Sequence, residues 1–252
     1  MESEKWGTKM RYPSEAEARK MIVDIGRRMY EKDFVAANDG NISLKIADDL
    51  IVATPTNVSK GYMTEEMMVL MRTDGTVLSE GRKPSSEIKM HLRIYQENAL
   101  ANAVCHAHPP VSTAYAIAGM PLDRAIYPEA VVNLGVVPCV HFEMPGSQGI
   151  PDSIAPYCCR YNAMLLANHG VVTWGRDLLE AWYRLESTEH YAMILRYTGY
   201  TPDRPGGLSR EQVRELIEIR ENAWGIATGG IPLGGDEPAN PCDRAGGVEY
   251  HG

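Results

Sequence analysis

The hexapeptide Ala103-Val104-Cys105-His106-Ala107-His108 constrains this chain more than any other stretch. Its apolar run has the length of a buried strand. Side chains on a strand alternate between faces, so His106 and His108 project the same way at its end. Two neutral imidazoles on one face make half of a metal site, and buried without partners they would cost more than the strand gains. A second apolar run, Met164-Leu165-Leu166-Ala167-Asn168, leads into His169 and Gly170 and can bring a third imidazole to the same place. The spacing by itself also fits partly exposed strand-end histidines, and that reading stays open at this point.

The chain has 252 residues, 44% hydrophobic and 23% charged, which is enough for one large globular domain with a real core. A formal net charge of −8 argues against nonspecific nucleic-acid binding but leaves room for a small anionic substrate in a local pocket. The first residues, Met1 to Trp6, carry no apolar leader, and no stretch approaches the roughly 18 apolar residues of a membrane span. The five cysteines include no CxxC, and Cys158 and Cys159 are adjacent. Reduced thiols in a cytoplasmic protein are the expectation.

Ser14 and Glu17 form an S-x-x-E capping box ahead of Ala18, Met21, Ile22, Ile25 and Met29, which predicts an amphipathic helix to about Tyr30. Turn residues at 37–41 precede an expected strand Ile42 to Ile46, and a second runs from Leu50 to Ala53. Asp74-Gly75 joins Met67–Arg72 to Thr76–Leu78 as a hairpin. Pro84-Ser85-Ser86-Glu87 opens a helix to about Gln96 with Ile88, Leu92 and Tyr95 inward. Pro109-Pro110 starts a helix through Ala118, and Val136 to Phe142 reads as a strand. Asp152 to Tyr161 reads as a helix. Asp177 caps a long helix to about Tyr197, and Ser209 caps a last one to Asn222. From Gly225 the chain is rich in Gly and Pro, so the division is a domain over 1–224 and a tail over 225–252. Connections too short for crossovers make the sheet mostly antiparallel, with helices on both faces: an α/β, three-layer α/β/α sandwich.

Gly40-Asn41, Thr56-Asn57 and Ser85-Ser86 place small amide and hydroxyl side chains in loops or at a helix start, where neutral donors and the helix dipole can hold a phosphate. Glu87 is the carboxylate that can do proton work, although a Glu in a first turn is common for dipole reasons alone. His91 and His190 fall in helices and read as surface or satisfied core residues. His141 reads as structural on a strand near the site, and Met63, Met67, Met68 and Met71 read as packing. Glu129 reads as a salt-bridge partner.

Gly40-Asn41-Ile42-Ser43, Thr54-Pro55-Thr56, Pro84-Ser85-Ser86-Glu87, His106-Ala107-His108 and Asn168-His169-Gly170, in this order, resemble the class II aldolase/adducin family, most closely its L-fuculose-1-phosphate aldolase branch. The resemblance runs from about Ser14 to Tyr197. It implies the same sandwich fold and one Zn²⁺ per chain, with another divalent ion as the alternative, on His106, His108 and His169. Glu87 would ligate the resting metal and then act as acid/base. It further implies phosphate binding by Asn41, Thr56, Asn57, Ser85 and Ser86, with Asn57 where the family aldolase has Gly. Tyr127 matches the tyrosine that reaches a neighbouring subunit's site, in a homotetramer with interfacial active sites. Pro128-Glu129 departs from the fuculose pattern, and Tyr250 is a candidate for the family's tail tyrosine.

What the resemblance implies is retro-aldol cleavage of a ketose 1-phosphate to dihydroxyacetone phosphate and an aldehyde. L-Fuculose-1-phosphate, 5-deoxyribulose-1-phosphate and methylthioribulose-1-phosphate are the candidate substrates. The alternatives within the fold are a pentulose-phosphate 4-epimerase, which carries Asp where this chain has Glu87, and a methylthioribulose-1-phosphate dehydratase. A non-catalytic adducin-like binding module is the alternative of a different class. The expected partner is a small phosphorylated sugar, with no nucleic acid and no membrane.

Overall fold

The computed structural model describes residues 12–199, 207–220 and 231–233. Its strands are β1 (Asn41–Lys45), β2 (Leu50–Ala53), β3 (Val69–Arg72), β4 (Ala103–Ala107), β5 (Cys139–Val140), β6 (Ala163–Leu166) and β7 (Gly170–Gly175). They form one sheet in the order β3-β2-β1-β4-β7-β6-β5. Every neighbouring pair is antiparallel except β5 with β6. The expected sandwich is found. Hairpin-length links such as 46–49 and 167–169 permit only antiparallel return.

The helices are α1 (Glu15–Glu31), α2 (Ile88–Glu97), α3 (Pro110–Ile117), α4 (Gly149–Ile154), α5 (Leu178–Thr198) and α6 (Arg210–Glu218). Strand alternation divides the core in two. Ile42, Leu44, Cys105, Ala107, Leu165 and Val171 pack with Ile22 and Met29 of α1 and Trp182 and Leu185 of α5. On the opposite face Ile51, Val104, Met164, Val172 and Trp174 pack with Met90 and Ile94 of α2 and Ile154 of α4. His106 is two residues from Val104 and so faces α2.

The capping signals hold. Ser14 Oγ accepts the Glu17 N–H, and Glu17 answers by accepting the Ser14 N–H. Asp177 Oδ1 accepts the Glu180 N–H at the head of α5. Helix α3 has no side-chain cap of its own. Buried Glu189 of α5 supplies one, accepting the N–H groups of Val111 and Ser112 and the Ser112 hydroxyl. That carboxylate ties the chain just after His108 to the sandwich.

Several boundaries differ from the sequence reading. Only Cys139–Val140 of the stretch Val136–Phe142 is strand, because Val137 bridges to Leu122 before β5 turns to β6. Thr76–Leu78 returns along β3 as a single bridge, Met71 to Val77, and not as a full strand. The stretch 152–161 holds the end of α4 and a 3-10 turn, Ala155–Tyr157, in place of one continuous helix. On α2 the buried stripe is Ile88, Met90, His91, Ile94 and Tyr95, with Leu92 at its margin. The 130–134 segment forms a π-turn that no sequence pattern announced. The boundary at 224, Asn222, the tail beyond 233 and Tyr250 lie outside the described residues.

Candidate metal centre

Strand register assembles the site. Asn41 at the start of β1 pairs with His106 on β4, which pairs in turn with Val172 on β7. His108 follows β4, its N–H donating to the Phe34 carbonyl at 2.9 Å. His169 sits in the tight turn between β6 and β7, made possible by Asn168 at φ +56°. The three rings lie 4.8–5.1 Å apart by centroid, and ligand nitrogens of all three fall within 4.8 Å of one another. The reading as partly exposed strand-end histidines describes His108 and His169 but not His106, which is fully buried, and it leaves the clustering of all three without a reason.

Glu87 is the N-cap residue of α2, one position earlier than the first-turn place expected for it. A carboxylate serving only the helix dipole would point to solvent. This one is 13% exposed, with Oε2 3.3 Å from His106 Nε2 and Oε1 3.1 Å from His169 Nε2. The Asn41 amide donates to Oε2 at 2.9 Å. Burial alone would raise the Glu87 pKa, but His106 and His169 in their protonated forms outweigh it and hold the carboxyl well below the usual range.

The hydrogen-bond network assigns the tautomers. His106 Nδ1 lies 2.9 Å from the Val171 carbonyl, which can only accept, so Nδ1 carries the proton. His108 Nδ1 lies 3.3 Å from an Asp39 carboxylate oxygen, which likewise requires a proton on Nδ1. Both Nε2 atoms therefore present lone pairs, and they face each other at 3.2 Å. Two lone pairs at that distance repel unless a cation lies between them. Ligands about 2.0–2.1 Å from a tetrahedral ion stand about 3.3–3.4 Å apart, so the spacing fits a divalent metal. Buried Glu87 Oε1 also lacks a hydrogen-bond partner, as an atom meant for an ion would. Burial, and then the nearby histidines, push the His108 pKa down to about 4, keeping that ring neutral and ready to ligate.

The loops expected to hold a phosphate come together beside this cluster. Pro55 bridges to Pro84, the Thr56 N–H donates to the Lys83 carbonyl, and the Ser85 N–H donates to the Thr54 carbonyl. Thr56 and Ser85 are partly buried, while Asn57 and Ser86 are exposed. Ser85 Oγ accepts the Glu87 N–H at 3.3 Å. Asn41 is buried and already engaged with Glu87. Tyr127 stands apart. It packs on Tyr191 at 5.9 Å and His190 at 6.5 Å, and lines a groove of about 740 Å³ with Lys32, Glu129 and Asn133. Burial, with Glu129 adding to it, raises its pKa to about 12.

Other expectations sort as follows. Glu129 is exposed and forms no ion pair among the described residues, so it is not the salt-bridge partner expected. His141 is not on a strand: it lies just past β5, exposed, 3.3 Å from Glu143. His190 is exposed on α5 and His91 is core. The methionines pack, with Met63, Met68 and Met71 buried. Sequence reasoning missed Asp39 and the Val171 carbonyl, which orient His108 and His106. Asp39, inside the turn segment 37–41 and two residues before Asn41, carried no signal beyond turn chemistry.

An α/β/α sandwich with three histidines at its strand ends defines the class of protein. Residues 20–195 match the model of the class II aldolase and adducin N-terminal domain. The chain belongs to the class II aldolase/adducin family. It is 32% identical over 197 residues to a 3-oxo-tetronate 4-phosphate decarboxylase of Pectobacterium atrosepticum, covering 77% of this chain and 90% of that one. It is also 32% identical over 173 residues to an L-fuculose phosphate aldolase of Methanococcus maripaludis, covering 69% and 93%. The crystal structure of YgbL from Escherichia coli, for which aldolase, epimerase and decarboxylase are named together as candidates, aligns with a TM-score of 0.75 at 32% identity. That alignment covers 80% of this chain and 98% of YgbL. The relatives thus divide between two activities, and the fuculose branch is not singled out. No helix among the described residues is long and apolar enough to cross a membrane.

Proposed function

We propose that the protein is a zinc-dependent lyase that cleaves a ketose 1-phosphate to dihydroxyacetone phosphate and an aldehyde. The observation that carries the reading is Glu87 held between His106 and His169 in the same cluster as His108. In this reading His106, His108 and His169 hold the ion, with Glu87 as a fourth ligand before substrate binds. A divalent ion held there would supply Lewis acidity to the substrate's carbonyl, favouring negative charge when the C3–C4 bond breaks.

The chain's own groups do the rest. Thr56, Asn57, Ser85 and Ser86, with Asn41 at their edge, bind the phosphate through neutral donors and set the reacting carbons over the histidines. Glu87, ionised at rest, takes up a proton from solvent and delivers it to C3, and the Asn41 amide keeps its carboxylate oriented. Tyr127 exchanges the proton of the C4 oxygen from a neighbouring subunit of a homotetramer. In cleavage its phenolate form takes that proton, and in condensation the phenol returns it to the aldehyde oxygen.

A second reading is favoured by the decarboxylase relatives. A 3-oxo-tetronate 4-phosphate has a phosphate beside a carbonyl and a breaking bond on the next carbon, the same three-carbon frame as a ketose 1-phosphate. Only the departing fragment differs, carbon dioxide in place of an aldehyde. Loss of carbon dioxide needs no hydroxyl proton removed, so that reaction has no task for Tyr127. The test is to offer L-fuculose 1-phosphate, 5-deoxyribulose 1-phosphate, methylthioribulose 1-phosphate and 3-oxo-tetronate 4-phosphate to zinc-loaded protein. Dihydroxyacetone phosphate with an aldehyde supports the aldolase. Carbon dioxide from the oxo acid alone would replace it with the decarboxylase, and no product from any of them would remove both.

A further inference from the structure

Helix α2 carries more than Glu87 on its inner face. Glu87, His91 and Tyr95 are spaced i, i+4 and i+8, so they stack along one side of the helix. Beneath them β1 offers Asn41 and Ser43, two residues apart and on one face of the strand. Ser43 Oγ lies 2.7 Å from His91 Nδ1 and 2.7 Å from the Tyr95 hydroxyl. His91 and Ser43 are fully buried, and Tyr95 is 6% exposed.

The arrangement that employs both hydroxyl protons runs from Tyr95 to Ser43 to His91 Nδ1. Burial supports it: it raises the Tyr95 pKa, so the phenol keeps its proton, and lowers that of His91 to about 3, so Nδ1 can accept. Helix and strand are therefore joined at successive levels, by Asn41 to Glu87 and by Ser43 to His91 and Tyr95. Helix α2 has no side-chain cap to fix its N-terminal end. Apolar contacts from Ile88, Met90 and Ile94 hold it to the sheet but tolerate small slides and rotations. Directional hydrogen bonds in a dry interior do not.

We infer that Ser43, His91 and Tyr95 form a buried lock that sets the register of α2 on β1 and so positions Glu87 against the metal-binding histidines. These are positioning residues, and the inference rests on the proposed role of Glu87. Outer-shell groups of metal sites are typically worth about 10–100-fold in metal affinity or activity, and the lock should fall in that range.

The experiment reconstitutes full-length protein with Co²⁺, whose visible spectrum reports the ligand set whether or not a substrate is known. Wild type and Glu87→Gln give the two reference spectra. Ser43→Ala and Tyr95→Phe should shift toward the Glu87→Gln spectrum and lower kcat on the active substrate about 10–100-fold with KM little changed. His91→Leu should do the same. His91→Asn, which keeps an acceptor near the Nδ1 position, should restore the wild-type spectrum and most of kcat. If His91→Leu does not fold, the two conservative variants still decide. Wild-type spectra and kcat in Ser43→Ala and Tyr95→Phe, with only a lower Tm, would overturn the lock. A wild-type enzyme without activity on any tested substrate would overturn the proposed function, while the cobalt spectra would still test the lock.

Discussion

Gly170→Ala is expected to disarm the metal site without altering a ligand. Gly170 opens β7 beside His169, and a Cβ built there would lie 2.5 Å from the Ala107 carbonyl oxygen and 2.5 Å from Cδ2 of His108. Carbon contacts settle at about 3.5–4.0 Å, so the ring must retreat by about 1 Å. Metal–ligand distances tolerate deviations of only about 0.2 Å, so His108 Nε2 would leave the range of an ion shared with His106. Overpacking of this kind typically costs about 1–3 kcal/mol, which a domain of this size survives. Mere misorientation of a ligand costs about 10–100-fold in affinity, so displacing one should weaken zinc binding by at least about 100-fold. Gly175→Ala is the control. Its Cβ would meet Ala181 N at 2.7 Å and Glu180 Cβ at 2.9 Å, but at the far end of β7, about 17 Å away. Competition against a chromophoric chelator, with Tm measured in parallel, separates the two effects. Wild-type zinc affinity in Gly170→Ala would refute the reasoning, as would an equal loss in Gly175→Ala.

Acid should destabilise the metal-free protein. His91 and His108 have folded pKa values of about 3 and about 4, below the ordinary 6.5, so the unfolded chain binds more protons between those limits and stability falls as pH drops below 6.5. From pH 6.5 to 5 the two rings together cost about 3 kcal/mol, so urea unfolding should show a loss of about that size, and a flat profile would count against buried neutral rings. Ser86→Ala should raise KM for a phosphorylated substrate tenfold for about each 1.4 kcal/mol of hydrogen bonding lost, with kcat little changed; an unaltered KM would take Ser86 out of the phosphate site. Tyr127→Phe should slow aldehyde release by about 10²-fold or more with zinc still bound, and leave any carbon dioxide release unaffected. Full aldehyde-releasing activity would exclude the tyrosine from proton transfer.

Much of this site is legible in the sequence, because its signals are periodic. The two-residue repeat of a strand put His106 and His108 on one face, and an apolar run ending in a turn delivered His169. Glu87 carried little signal alone, since acids crowd helix starts, and only the histidines gave it meaning. The sandwich followed from short links between strands. What escaped depends on register between distant segments. Asp39 reaches His108 across 69 positions of sequence, and Ser43 reaches His91 across 48. Val136 to Phe142 has a strand's composition, but it exchanges partners at Pro138, which no alternation pattern records. Tyr127 came from family resemblance alone, and within one chain its neighbours are Tyr191 and His190.

The central claim is that Glu87 carries the proton that C3 exchanges in carbon–carbon bond cleavage. Zinc-loaded wild type and Glu87→Gln, incubated with dihydroxyacetone phosphate in deuterium oxide without aldehyde, address it directly. Exchange at C3 requires the proton carrier and no departing fragment, so it is blind to whether an aldehyde or carbon dioxide leaves in the full reaction. Wild type should incorporate deuterium at C3. Glu87→Gln, with its zinc content verified, should do so about 10²–10⁴-fold more slowly. Exchange at the wild-type rate in the zinc-loaded variant would contradict the account and leave Glu87 as a ligand and helix cap.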